Sequence, residues 1–349
     1  MMPARKYILF SFLMIVFGAG IKAQDVLMTQ TINGRVYRMG TDTAIAGASV
    51  YYGGSMSGTA TDGTGYFALK AKAQQIPIVV SCIGYISATV HYEEGKPLVV
   101  YLVPKTEMLN MVTIIAGNDS GYGGDGMSRK DREALFISEF IGTSAFAKNC
   151  TITNMDDIRL FYNRKKDALT AICDKPIMIE NRSLGYTIKY YLDRFSKTPG
   201  KLAFAGNYIF NDPQNPPDDS VKLNRSNAYK GSRIQFIRSL WNHTLKQDGY
   251  RMYTPSFAQI TEDDITTHDI EQQKHMVLTQ SIFVVNSHVP LVINTVNTGN
   301  SSLPFIDKDG YYGEGLQWTG GMGSQRIGDL LPYEYQPEKE FKKTAPPNK

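Results

Sequence analysis

Between residues 31 and 104, apolar and polar residues alternate with the two-residue period of half-buried strands. Thr31-Ile32-Asn33-Gly34-Arg35-Val36-Tyr37 places Ile32, Gly34 and Val36 on one face and Asn33, Arg35 and Tyr37 on the other. Similar runs recur at 48–52, 65–71, 86–92 and 98–102, with turn residues between them. Asp62-Gly63 is a strong hairpin signal, because Asp bonds its own backbone and Gly accepts positive φ. The run at 76–82 breaks the alternation. Ile78, Val79 and Val80 are consecutive, which suits a strand buried on both faces. Short strands at this spacing predict an antiparallel β-sandwich.

Past a linker at 105–131, the periods mix and predict an α+β domain over 132–337. Within the linker, 109–115 reads as a last edge strand. The stretch 117–126 is too rich in glycine to hold a packed element. Ser128 fits a helix N-cap, and Leu135, Phe136, Phe140 and Ile141 follow at helical spacing. Strands are expected at 158–162, 168–172, 177–180, 186–195 and 201–209, the last two joined through Pro199-Gly200. A Pro/Asp-rich surface loop at 211–220 precedes an amphipathic helix at 233–247. That helix carries Ile234, Ile237, Leu240, Trp241 and Leu245 on one side and Gly249 as its stop. Further strands are expected at 276–279, 282–286, 289–294 and 303–306, and residues 338–349 form a polar tail.

Residues 1–23 have the layout of a secretory signal: Arg5-Lys6, an apolar run from Tyr7 to Gly20, and the small residue Ala23 at a cleavage point. Export is therefore expected, to the periplasm or in association with the outer membrane. Removing Arg5, Lys6 and Lys22 lowers the net charge from +4 to about +1, which gives no expectation of a nucleic-acid partner. With 42% hydrophobic and 20% charged residues the chain has the makeup of a folded globular protein. Cys82, Cys150 and Cys173 are too few for a disulfide framework; Cys150 and Cys173 either pair or stay buried as thiols.

Several turn and strand features in the first region occur in a characteristic order. They are Gly34-Arg35-Val36, Ala46-Gly47-Ala48-Ser49-Val50, Gly58-Thr59-Ala60-Thr61-Asp62, Gly65-Tyr66-Phe67 and Ser81-Cys82-Ile83-Gly84-Tyr85. Residues 31–104 thereby resemble the carboxypeptidase regulatory-like domain, a transthyretin-like (prealbumin-like) β-sandwich common in exported proteins of Bacteroidetes-type bacteria. The resemblance implies an accessory fold with no catalytic residues to carry over, so fold does not supply function. The second region resembles the uncharacterised C-terminal part of such proteins, through Phe140-Ile141-Gly142-Thr143, Ile179-Glu180-Asn181 and Leu330-Leu331-Pro332-Tyr333-Glu334-Tyr335. That match brings no mechanism with it.

Candidate chemistry is sparse. His268-Asp269-Ile270-Glu271 has the His-x-x-Glu spacing that opens the metal site of zinc carboxypeptidases. A catalytic zinc needs three protein ligands and an open position. The downstream histidines, His275 and His288, lie too close to match that family. On a helix His268, Glu271 and His275 would share a face, so these three are the metal candidates, set against chance occurrence in an acidic segment. The chain lacks Gly-x-Ser-x-Gly, His-Glu-x-x-His and Cys-x-x-Cys. No metal or other cofactor is expected. Tyrosine doublets at 51–52, 190–191 and 311–312 offer broad contact surface with a polar tip, although in a strand one member of each doublet faces inward. Tyr311, Tyr312 and Trp318, the last in a glycine-rich loop, are the candidate ligand surface. Trp241 is expected in the core. Together these features predict an exported, non-catalytic binding or structural protein of the cell envelope, its partner another envelope protein or a glycan. A peptidase or glycosidase with its site in 132–337 is the alternative.

Overall fold

The computed structural model describes residues 30–72, 76–93, 95–105, 126–213, 215–268, 274–289, 294–298 and 303–337. The expected signal, the strand at 109–115, most of the strand at 289–294, Glu271 and the polar tail lie outside the described residues. No helix among the described residues is long and apolar enough to cross a membrane.

The first region is a two-sheet sandwich. Its strands are β1 (Thr31–Arg38), β2 (Ser49–Tyr52), β3 (Gly58–Ala60), β4 (Tyr66–Lys70), β5 (Ile78–Ser81), β6 (Ala88–Val90) and β7 (Leu98–Leu102). One sheet has the order β4-β1-β7 and the other β3-β2-β5-β6. Alternation in β1 buries Ile32 and Val36 against Phe67, Leu69, Val50, Ile78 and Val80 between the sheets. One expectation is corrected. β1 pairs antiparallel with β4 but parallel with β7, because β7 enters this sheet after the chain has passed through the opposite one. All four residues of β5 are buried, as its unbroken apolar run requires. Ile78 and Val80 face the sandwich core. Val79 lies opposite Tyr51 on the outer face, and Tyr51 stacks on Tyr191 of the second region at 5.8 Å.

The second region opens with α1 (Arg129–Phe140), whose Ser128 side chain accepts from the Asp131 amide. Six strands follow: β8 (Cys150–Ile152), β9 (Ile158–Asn163), β10 (Ala168–Cys173), β11 (Ile177–Asn181), β12 (Tyr186–Thr198) and β13 (Lys201–Asn211). The order is β8-β11-β12-β10-β9, with β13 also paired to β12. The β12–β13 hairpin turns through Pro199-Gly200, where Gly200 takes φ +71°. Helix α1 lays Phe136 and Phe140 on this sheet, and Phe140 meets Tyr190 edge-on at 4.9 Å.

Two short helices, α2 (Asp219–Tyr229) and α3 (Arg233–Trp241), lead into β14 (Tyr250–Tyr253), β15 (Gln259–Ile260), β16 (Thr266–His268), β17 (Lys274–Met276), β18 (Ile282–Asn286), β19 (Asn294–Thr298), β20 (Phe305–Ile306) and β21 (Leu316–Trp318). A last helical turn, α4 (Gly320–Ser324), follows. Helix α2 begins inside the stretch whose composition predicts a surface loop. Asp218 is its N-cap and accepts from the Val221 amide at 2.8 Å. Helix α3 stops six residues short of the end that its apolar spacing predicts. His243 takes φ +57°, and Asp248 accepts from the Ser239 and Thr244 hydroxyls, folding 242–248 back on the helix end. Leu245 still reaches the core. The region expected as one α+β domain thus has two cores: α1 with the six-stranded sheet, and α3 with the sheet β15-β14-β18-β19-β21.

The sandwich is bound to the second region along a seam. The Gly54 amide donates to the Tyr208 carbonyl at 2.8 Å, and the Phe210 amide donates to the Ser55 carbonyl at 2.9 Å. The Tyr333 amide donates to the Gly54 carbonyl at 3.1 Å. Glu334 accepts from the Met56 amide at 2.9 Å and pairs with Lys72. Tyr191 donates its hydroxyl to Ser49 Oγ at 2.8 Å.

Candidate functional site

A cavity of about 420 Å³ lies behind this seam, between the β12–β13 hairpin, the start of α3 and the segment 323–333. Its walls form where the two cores of the second region meet without filling the space between them. Tyr190 and Tyr208 are cross-strand partners in β12 and β13, their rings stacked at 5.8 Å. Gly206 allows this arrangement, since a Cβ there would come within 2.5 Å of the Tyr190 ring. Tyr312 enters from the loop after β20, and Tyr333 from the C-terminal segment. Leu202, Phe204, Ile234 and Leu330 supply apolar wall between them.

Four tyrosines therefore line the cavity: Tyr190, Tyr208, Tyr312 and Tyr333. Among the described residues none of their hydroxyls has a hydrogen-bond partner, and none is wholly buried. Burial pushes the Tyr208 phenol up to about 12, with Tyr312 adding to the rise and the positive charge of Arg233 opposing it. Burial raises Tyr190 and Tyr333 as well. These three phenols stay protonated at neutral pH, and each hydroxyl can donate one hydrogen bond and accept others.

Two arginines line the same space. Arg233, the first residue of α3, donates from its backbone amide and its Nε to Gln325 Oε1, at 3.1 and 3.2 Å. Its two terminal amino groups have no partner among the described residues. Arg326 is more occupied. Its Nε donates to the Glu139 carbonyl at the end of α1, and its Nη1 to Gly323 and Gln325 carbonyls. Neither arginine forms an ion pair among the described residues. Asp329 is the only carboxylate in the described wall, and it accepts from the Arg326 amide at 2.9 Å.

The residues expected to form a ligand surface separate. Tyr312 lines the cavity. Tyr311 sits behind it, packed on Phe305 and Tyr333 at 5.2 and 5.8 Å. Trp318 lies in β21 rather than in a loop, edge-on to Phe236 and Tyr312, with its indole N–H buried and unpartnered among the described residues. Of the metal candidates, His268 and His275 lie on paired strands, not on a helix. His275 stands opposite Thr267 in the β16–β17 register, so His268 and His275 face opposite sides of that ribbon. His275 donates from Nδ1 to the Leu303 carbonyl at 3.0 Å, and Glu271 is outside the described residues. Among the described residues no three metal-ligating side chains gather. Cys82, Cys150 and Cys173 are free thiols. Burial raises all three, Cys150 to about 12, which makes them weak nucleophiles.

A second polar line runs from the edge of the other core to the surface. Lys274 Nζ lies 3.1 Å from His243 Nε2, and His243 Nδ1 lies 3.4 Å from Glu262. Lys274 also donates to the Leu240 and Trp241 carbonyls and is only 3% exposed. An ammonium held on the last carbonyls of a helix is a cap favoured by the helix dipole. The line is therefore a clamp on α3.

Residues 32–115 match the family model described as CarboxypepD_reg-like domain. The sandwich is a carboxypeptidase regulatory-like domain. No curated protein and no solved structure matches the chain. The matched residues end before α1, so every residue in the cavity wall lies outside the regulatory-like domain. That domain reaches the cavity indirectly, through the Gly54 backbone bonds to Tyr208 and Tyr333. Nothing in the sequence alone marks Arg233, Tyr190, Tyr208 and Tyr333 as site residues. The visible signals are the doublet at 190–191 and the Tyr333-Glu334-Tyr335 end, and neither says where the rings point.

Proposed function

We propose that the protein is an exported, non-catalytic binding protein of the cell envelope that holds its ligand in the tyrosine-walled cavity. One observation carries the proposal: four tyrosines and Arg233 line one space, and neither the phenol hydroxyls nor the terminal amino groups of Arg233 have a hydrogen-bond partner among the described residues. Tyr208, Tyr312 and Tyr333 are only partly buried, so water can reach this set of donors and acceptors, and a polar ligand that replaces that water would find its hydrogen bonds already in place. A cavity of about 420 Å³ falls within the range of small-molecule sites, about 300–1,000 Å³. Its described lining offers no His, Cys, Lys or Glu, and the Ser232 hydroxyl is taken by the Gln235 amide. The wall thus offers recognition groups and no nucleophile–base pair, which favours binding over hydrolysis. Export and envelope location rest on the signal-like layout of residues 1–23.

The test is a thermal-shift screen of the purified protein against neutral sugars, sugar acids, amino acids and dipeptides. It is run in parallel on a Tyr208→Phe/Tyr333→Phe variant. A ligand present at about 100 times its Kd stabilises by about 2.7 kcal/mol. We expect at least one class to raise the Tm of the wild type, with a smaller rise in the variant. Shifts of equal size in both proteins, or no shift with any class, would overturn the assignment. So would turnover of a panel compound.

A further inference from the structure

We infer that the ligand is an acidic sugar: a small polyhydroxylated ring compound carrying one carboxylate or phosphate, its anionic group held by Arg233. This rests on the cavity being the ligand site. The cation is the first reason. Arg233 is half-buried at the wall, with no carboxylate paired to it and both terminal amino groups free among the described residues. A guanidinium presents these donors as a planar fork that matches a carboxylate or a phosphate. Arg233 is also the first residue of the nine-residue helix α3, whose N-terminal end adds partial positive charge on the same side. Its charge reaches the Tyr208 phenol across the cavity wall.

The phenols are the second reason. A hydroxyl-bearing ligand needs partners that donate and accept at once, and a protonated tyrosine does both. Tyrosine rings add apolar faces on which the C–H face of a sugar can lie. Tyr208, backed by the parallel ring of the buried Tyr190, supplies aromatic surface to the cavity wall. Asp329, the only carboxylate of the described wall, gives a strong acceptor for a ligand hydroxyl and counts against a second anionic group. The volume is at the small end for ligand sites, which suits a mono- or disaccharide better than a longer chain.

Isothermal titration of the purified protein with D-glucuronate, D-glucose 6-phosphate and D-glucose tests the inference. We expect one of the two acidic probes to bind at least tenfold more tightly than glucose, and which one binds identifies the anion. Arg233→Gln should remove at least tenfold of that affinity. Arg233→Lys, which keeps the charge but loses the fork, should fall between the two and serves if the Gln variant does not fold. Glucose binding as tightly as both acids, or unchanged acid binding in the variants, would overturn the acidic-sugar assignment while leaving a ligand site. Failure of all three probes to bind, with binding by another compound of the thermal-shift panel, would overturn it in the same way. No binding by any compound would remove both proposals.

Discussion

The sandwich and the region after it use the same residue type in opposite ways. In the sandwich, Tyr52 points into a filled core, and Tyr51 on the other face is covered by Tyr191 and hydrogen-bonded to Ser81 at 3.1 Å. Both rings are almost wholly buried. In the second region, Tyr190, Tyr208, Tyr312 and Tyr333 surround a space and leave their hydroxyls unpaired among the described residues. The difference comes from the number of cores. Two sheets closing on one core leave little room between them, whereas the two cores of the second region leave a gap where they meet. In this chain the gap is lined with groups that recognise polar ligands. The sandwich is no loose appendage either, because Gly54 holds two of the cavity tyrosines by their backbones.

Emptying one core while following the other should give the largest effect. Phe140→Ala removes a ring packed against Phe136, Tyr190, Phe195 and Phe204 and should cost about 3–5 kcal/mol. If the seam couples the regions, urea unfolding followed by near-UV circular dichroism will show one shifted transition. Two separated transitions would show that the sandwich stands alone.

A pH effect comes next in size. Asp307 is 8% exposed; its Oδ1 accepts from the Asp309 and Tyr311 amides, and its Oδ2 is buried without a partner among the described residues. Burial pushes its carboxyl up to about 6, against the lowering by those two amides. A carboxyl raised in the folded state binds its proton more tightly there than in the unfolded chain. Its contribution favours folding at low pH and is lost as the pH rises from about 4 through about 6, a change on the order of 3 kcal/mol. Asp307→Asn keeps the two amide bonds and should flatten that part of the stability–pH curve. An unchanged slope would mean that the carboxyl titrates normally. Since Tyr311 packs against both Tyr333 and the sandwich core, the effect should appear in the whole-molecule transition.

Gly54→Ala addresses the seam itself. The residue has φ +74°, and a Cβ there would lie 2.7 Å from the Tyr333 ring. The substitution should cost about 1–3 kcal/mol and weaken ligand binding by displacing Tyr333. Loss of stability with unchanged affinity would separate the sandwich from the site. Glu334→Gln is the mildest probe. It removes the ion pair with the partly exposed Lys72 and should cost at most about 1 kcal/mol, as a shift in denaturation midpoint. A larger loss would mean that the C-terminal segment depends on this clasp.

Local pattern makes the sandwich legible. Alternation in β1 and the unbroken run of β5 each depend on near neighbours in sequence, and the structure keeps both. The β12–β13 hairpin is legible for the same reason, since Pro199-Gly200 sets the turn and alternation sets the faces. Asp62-Gly63, expected as a hairpin turn, instead carries the chain from β3 in one sheet to β4 in the other, with Gly65 rather than Gly63 at positive φ. Helix α2 is hidden because Asp218 reads equally well as a loop residue and as a cap. The apolar spacing of 233–247 overstates α3 because Lys274 and Asp248, which end the helix, come from later in the chain.

What local chemistry determined, then, was a carboxypeptidase regulatory-like sandwich followed by an α+β region. Which tyrosines share a space was decided only by tertiary structure. Tyr190, Tyr208, Tyr312 and Tyr333 span more than 140 residues of sequence and meet because two cores and the sandwich seam pack together. A side chain's residue type and strand period say which face it takes. Whether that face is filled or left open depends on what the rest of the chain brings against it.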